Sequence, residues 1–80
     1  RHHLALRTTN NAVARSLLAE KSVPCQEEED YLILPILSDE LTAQLTRFLA
    51  ANRLGVMRLE ERQKSLEDIF LELTGKAASL

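Results

Sequence analysis

The sequence predicts a small α+β domain, and three observations predict it. Stretches in which apolar and polar residues alternate, the period of a half-buried strand, are separated by stretches in which apolar residues recur every three or four positions, the period of a helix. Hydrophobic residues make up 45% and charged residues 28% of the chain, as in ordinary globular proteins. A length of 80 residues accommodates one domain with one core.

The first two predicted elements are a strand and a helix. Residues 3–8 alternate between the two sides of the backbone, which predicts a half-buried strand. Asn10 and Asn11 are both favourable N-caps, and the alanine- and leucine-rich stretch 12–21 after them predicts a helix. The apolar side of this helix consists of Val13, Leu17 and Leu18.

Two strands are predicted next. Residues 23–26 predict a short strand at a sheet edge, because Pro24 has no N–H to donate to a neighbour. The acidic run 27–30 predicts a solvated turn that keeps this edge from pairing with other chains. Residues 31–37 are apolar on both alternating faces, as in a central strand covered on two sides, and this strand should end or bulge at Pro35.

A second helix and a fourth strand follow. Ser38 is a favourable N-cap, and Asp39 and Glu40 lie in the first turn, where the helix dipole favours negative charge. Gly55 should end this helix as a left-handed cap, and residues 56–60 alternate again as a strand. The apolar stripe of the helix consists of Leu41, Leu45, Phe48 and Leu49.

A third helix is predicted over residues 65–74. It begins at a capping box in which Asp68 returns the hydrogen bond of Ser65, and it ends at Gly75. Residues 76–80 should form a flexible tail. The apolar face of this helix consists of Leu66, Ile69, Phe70 and Leu73.

Together these elements predict a ferredoxin-like βαββαβ domain over residues 1–75, with a four-stranded antiparallel sheet and an extra C-terminal helix. The strands at 3–8 and 31–37 should be central, and the first two helices should cover one face of the sheet. The other face should still carry apolar side chains of the central strand, which the third helix or a partner must cover. This uncovered surface predicts an interaction module.

No residue is predicted to be catalytic, to bind a cofactor or to hold a metal ion. His2 and His3 are adjacent and point to opposite sides of a strand, so they cannot chelate one ion together. A nucleophilic Cys25 would need a positioned base, and its surroundings are acidic, so we interpret it as a small hydrophobic side chain. Gly55 and Gly75 stand at helix ends and form no phosphate loop.

The charge balance argues against nucleic acid as a partner. The 10 basic and 12 acidic residues are scattered along the chain, and the net charge is -2. No apolar run reaches the roughly 20 residues that cross a bilayer, so direct membrane insertion is not expected. Because the chain starts without Met and has a single cysteine, we expect a piece of a longer protein in the reducing cytoplasm.

The segment Ser65–Gly75 reads SLEDIFLELTG. It closely resembles the closing segment of bacterial ABC transporter ATP-binding subunits of the exporter type, which drive drug, polysaccharide or gliding-motility export. The preceding order of elements resembles the C-terminal accessory domain of that family. The resemblance implies a parent that binds ATP and magnesium in a nucleotide-binding domain and drives export through a membrane permease, at the inner face of the cell membrane.

The ATP-hydrolysing motifs of that family, from the phosphate-binding loop to the switch histidine, are not in this sequence. The resemblance therefore implies a non-catalytic regulatory or dimerisation domain, whose partners are its own ATP-binding domain or a second copy. A small-molecule-sensing regulatory module of the same fold is the alternative. The interface positions implied by the tail motif are Leu66, Glu67, Asp68, Ile69, Phe70 and Leu73.

Overall fold

The computed structural model describes residues 2–63. They form a four-stranded antiparallel sheet and two helices, the α+β architecture that the sequence predicts. The predicted helix 65–74, the end of the predicted domain and the predicted tail 76–80 lie outside the described residues. The elements in chain order are β1 (His2–Thr8), α1 (Asn11–Glu20), β2 (Gln26–Glu28), β3 (Tyr31–Leu34), α2 (Asp39–Ala51) and β4 (Val56–Gln63).

The strands are arranged in the order β2-β3-β1-β4, and every neighbouring pair is antiparallel. β1 and β3 are central, as predicted. On one side of β1, Leu4 pairs with Leu34 and Leu6 pairs with Leu32. On the other side, Leu6 pairs with Leu59. Each βαβ unit skips over a central strand of the other unit, an arrangement compatible with a small ferredoxin-like fold.

Both helices pack on the same face of the sheet. Because side chains alternate along a strand, the leucines of β1 and β3 point to one side, where they form a single cluster with the helices. Burying one leucine stabilises the fold by roughly 1.5–3 kcal/mol, so this cluster is the main source of stability. Its buried members are Leu4, Leu6, Ala14, Leu17, Leu18, Leu32, Leu34, Leu45, Leu49 and Leu54.

The two asparagines before α1 have different roles. Asn10 is the N-cap, and its side chain accepts a hydrogen bond from the Val13 N–H at 3.2 Å. The Asn11 side-chain oxygen accepts from the N–H and the hydroxyl of Thr8, at 2.9 and 2.8 Å. Its amide nitrogen donates to the carbonyl of Asp30 at 2.7 Å. Asn11 therefore ties the end of β1 to the turn between β2 and β3.

The second strand differs from the prediction. The sequence predicts residues 23–26, whereas β2 spans Gln26–Glu28 and the turn to β3 contains only residues 29–30. Glu29 has a φ of 56°, the left-handed conformation that two-residue hairpin turns use. The acidic run is thus half strand and half turn, because pairing with β3 and not local composition determines where β2 lies. Pro24 lies before the strand, where no ladder donor is needed.

The boundary between β3 and α2 lies where the sequence predicts it. β3 ends directly before Pro35, which cannot donate to the ladder. Ser38 is the N-cap of α2, and its side chain accepts a hydrogen bond from the Leu41 N–H at 3.2 Å. Proline and serine therefore set this boundary by local chemistry alone.

The end of α2 differs from the predicted cap at Gly55. The helix ends at Ala51, and the left-handed conformation lies at Arg53, with a φ of 65°. Gly55 instead lies against Thr9: its N–H donates to Thr9 Oγ1 and its carbonyl accepts from the Thr9 N–H, both at 3.0 Å. A Cβ at position 55 would be 3.1 Å from Thr9 Cγ2, so this close approach favours glycine.

Candidate interaction surfaces

The first candidate surface is the face of the sheet opposite the helices, called here the open face. Within residues 2–63, both helices pack on the leucine side, and none packs on this face. Strand alternation and pairing register determine which side chains point to it. They include Arg7, Tyr31, Ile33, Arg58, Glu60 and Arg62.

Tyr31 lies within a row of charged groups on the open face. The guanidinium of Arg62 is 4.3 Å from the centroid of the Tyr31 ring, and that of Arg7 is 6.0 Å from it. Arg62 also donates to Glu60 Oε1, from Nη2 at 2.7 Å and from Nε at 3.2 Å. The row crosses β4, β1 and β3. Ala5 of β1 also points to this face, and it is fully buried.

Pairing favours the charged forms of Glu60 and Arg62 in this row. The hydrogen bond from Arg62 holds the pKa of Glu60 below its ordinary value; desolvation opposes this, and attraction by Arg62 and Arg58 adds to it. The same hydrogen bond raises the pKa of Arg62. Arg7 Nε is enclosed and has no hydrogen-bond acceptor among the described residues. The open face therefore presents the Glu60–Arg62 ion pair and the guanidinium of Arg7 around one aromatic ring.

The open face is less apolar than the sequence predicts. The apolar stretch 31–37 should leave a broad uncovered surface, but only Tyr31 and Ile33 of β3 point to this face, and both are half-buried. Two physical reasons account for the difference. The strand ends before Pro35, and arginine side chains from β1 and β4 lie over the Tyr31 ring.

The second candidate surface is a groove of about 490 Å³ on the helix side, called here the α1–α2 groove. It lies between residues 21–24, which directly follow α1, and the side of α2 that carries Leu41, Leu45 and Phe48, with Leu37 before α2. Leu41 at its rim is 51% exposed, although leucine is among the residue types most often buried. Lys21 Nζ lies 4.6 Å from the ring centroid of Phe48. The apolar lining consists of Val23, Pro24, Leu37, Leu41, Leu45 and Phe48.

The remaining residues singled out by sequence are placed as follows. His2 and His3 lie on opposite sides of β1, with His2 Nδ1 3.2 Å from Glu61 Oε1 and His3 on the open face. Cys25 has a free thiol and packs half-buried against the core. In the part of the chain that is described, no three His, Cys, Asp or Glu side chains are grouped as a metal site requires. The tail motif lies outside the described residues, namely Leu66, Glu67, Asp68, Ile69, Phe70 and Leu73.

The arginines of the open face are missing from the sequence-based prediction. Arg58, Glu60 and Arg62 recur at every second position, which is the signal of one strand face. The predicted fourth strand, residues 56–60, contains Arg58 and Glu60 but not Arg62, whereas β4 continues to Gln63. The groove carries no such local signal, since it depends on how residues 21–24 lie relative to α2.

In comparisons with known proteins, no family model, curated protein or solved structure matches the chain. Neither helix within residues 2–63 is long and apolar enough to cross a membrane. Functional inference therefore depends on the residues and surfaces described above.

Proposed function

We propose that this chain is a non-catalytic regulatory and dimerisation domain of an ABC transporter ATP-binding protein that powers export through a membrane permease. The observation that carries the proposal is the segment Ser65–Gly75, SLEDIFLELTG, which resembles the closing segment of such subunits. It follows an α+β domain whose sheet order supports a ferredoxin-like assignment. The helix predicted over 65–74 is then the extra C-terminal helix of that fold.

A domain of this kind acts by contact, and the open face is the proposed contact. It carries Arg7, Arg58 and Arg62 together with Glu28 and Glu60. A surface with both signs of charge suits a two-fold contact between identical copies, because each cation can then meet an anion of the other copy. We therefore propose a second copy as the partner of the open face, with the chain's own ATP-binding domain as the other partner.

The proposed location follows from the proposed parent. ATP and magnesium would bind to the nucleotide-binding domain and not to these residues. The domain would lie on the cytoplasmic side of the cell membrane, held there by the permease complex. Its regulatory effect would be to favour or hinder the pairing of two ATP-binding domains.

ATP hydrolysis by the protein with its natural preceding sequence tests this proposal. We expect magnesium-dependent hydrolysis, and we expect Phe70→Ala to change either its rate or the assembly of the subunits. Leu80→Ala is the matched control, because it also shortens an apolar side chain but lies beyond the motif. Absence of ATP binding by the longer protein would contradict the proposal, as would a folded Phe70→Ala protein with unchanged hydrolysis and assembly.

The alternative is a module that senses a small molecule, and the α1–α2 groove is the observation that favours it. A volume of about 490 Å³ lies in the range of small-molecule sites, and Lys21, Ser22 and Gln44 add polar groups to an apolar lining. A ligand at one hundred times its dissociation constant should stabilise the fold by about 2.7 kcal/mol. A thermal-shift screen of metabolites without any such stabilisation would count against this alternative.

A further inference from the structure

The α1–α2 groove is lined on one side by a row of apolar side chains from one helix. One wall is α2, where Leu41, Leu45 and Phe48 lie at spacings of four and three residues and so share one side of the helix. Along the helix axis these residues span about 10 Å at about 1.5 Å per residue. The other wall includes Val23 and Leu37. An amphipathic helix binds to such a groove by inserting an apolar stripe of matching length.

The predicted tail helix carries a stripe of that length. Leu66, Ile69, Phe70 and Leu73 are separated by three, one and three residues, which places them on one side of a helix over about 10 Å. Phe70 supplies one large aromatic ring, the kind of side chain that anchors a helix in a groove. The stripe and the groove therefore agree in length and in chemistry.

The groove opens at the end of the sheet where the described chain leaves it. β3 ends at Leu34, which pairs with Leu4 near the start of β1. β4 ends at Gln63, which pairs with His2 at that same start. α1 returns from the far end of β1 and finishes at the groove, next to Lys21. The end of β4 and the groove thus share one end of the domain, and only residue 64 separates β4 from the predicted helix.

Charge and solvation favour the groove over the open face. Lys21 is the only charged residue that lines the groove within residues 2–63, and the predicted tail helix carries Glu67, Asp68 and Glu72. Docking on the open face would instead remove water from the pair between Glu60 and Arg62, which is unfavourable without new polar partners. An apolar stripe with acidic flanks therefore fits the groove better.

We propose that residues 65–74 dock as an amphipathic helix in the α1–α2 groove of their own chain, with Phe70 as the anchor. The tail motif then has a binding site inside the domain, and a partner that needs the motif must compete with that site. This inference goes beyond the proposed function and does not require the parent to be a transporter subunit.

The test is an NMR study of the complete chain, residues 1–80. We expect nuclear Overhauser contacts between the Phe70 ring and the methyl groups of Leu41 and Leu45. We also expect the amide protons of residues 66–73 to exchange at least about tenfold more slowly than in an unstructured peptide of the same sequence. Contacts from Phe70 to Ile33 on the open face, or no long-range contact from Phe70, would overturn the proposal.

Matched variants separate docking from folding. Leu41→Glu should abolish the Phe70 contacts and the slowed exchange, and since Leu41 is 51% exposed the core should remain folded, as slow exchange of the Leu6 amide would show. Val13→Glu places the same charge at another exposed apolar position, outside the groove, and should leave the contacts intact. A folded Leu41→Glu chain that keeps them would overturn the proposal.

Mixing chains of different isotope labelling identifies which copy supplies the tail. Contacts seen only within one chain support the proposal, whereas contacts between differently labelled chains would overturn it and assign the groove to a second copy. These outcomes are independent of ATP hydrolysis. Failure of the docking proposal is therefore distinguishable from failure of the proposed transporter function.

Discussion

The two faces of the sheet have opposite characters although the same strands build both. β1 sends Leu4 and Leu6 to the helix side, where they are buried, and Arg7 to the open face. The helix side is a continuous leucine cluster, while the open face is a row of charged side chains around Tyr31. Because each interaction between exposed charges contributes little to folding, side chains on the open face can serve a partner without being needed for stability.

The largest expected effect concerns the leucine side. Leu6→Ala removes a fully buried side chain and should lower the free energy of unfolding by about 2–5 kcal/mol, a large part of the total for a domain of this size. Ile33→Ala on the open face should cost clearly less, because that side chain is only half-buried. Urea denaturation of both variants checks this, and equal losses would refute the distinction between the two faces.

A smaller effect is expected for the two asparagines at the junction of β1 and α1. Asn11→Ala leaves the buried Thr8 N–H without its acceptor and removes the link to Asp30, which should cost about 2 kcal/mol. Asn10→Ala removes only the N-cap and should cost about 1 kcal/mol. Thermal unfolding of both variants measures the difference. A larger loss for Asn10→Ala would mean that the cap, and not the tie, holds this end of α1.

The open face should affect association more than stability. If two copies meet there, the mass of the chain in solution should rise with concentration, and Arg62→Glu should abolish that rise. Arg15→Glu is the matched control, since Arg15 pairs with Glu27 at 3.1 Å on the helix side of the domain. Light scattering over a dilution series measures both variants. A monomer at every concentration would contradict the proposed contact between two copies.

The smallest effect is a pH dependence of the open face. Because pairing with Arg62 lowers the pKa of Glu60 in the folded state, the stabilisation is present above the unfolded pKa of the carboxyl group. It is lost as the pH falls through the lower, folded pKa. Glu60→Gln should therefore reduce the difference in stability between neutral and acidic solution, measured by urea denaturation at several pH values. An unchanged difference would show that this pair contributes nothing measurable.

Local chemistry explains which parts of the fold were predictable. The starts of both helices follow from Asn10 and Ser38, whose side chains accept hydrogen bonds from nearby amides, and the end of β3 follows from Pro35. The position of β2 and the conformation of Gly55 were predicted wrongly, because they depend on partners far along the chain. Gly55 is held by Thr9, a contact that no local pattern can indicate.

The candidate surfaces were predictable only in part. The interaction surface opposite the helices stays a prediction, and the charged side chains on that face are not predicted, since they come from two strands whose register is not visible in the sequence. The groove depends on the packing of α2 near residues 21–24, and these two parts of the chain are far apart in sequence. The tail motif remains a prediction because it lies outside the described residues.

The interleaved strand order determines how the domain unfolds. β1 belongs to the first half of the chain and lies between β3 and β4 of the second half, so the first half cannot leave without separating those two strands. Thr9 and Gly55 join the loops of both halves at the far end. The described residues should therefore unfold as one cooperative unit.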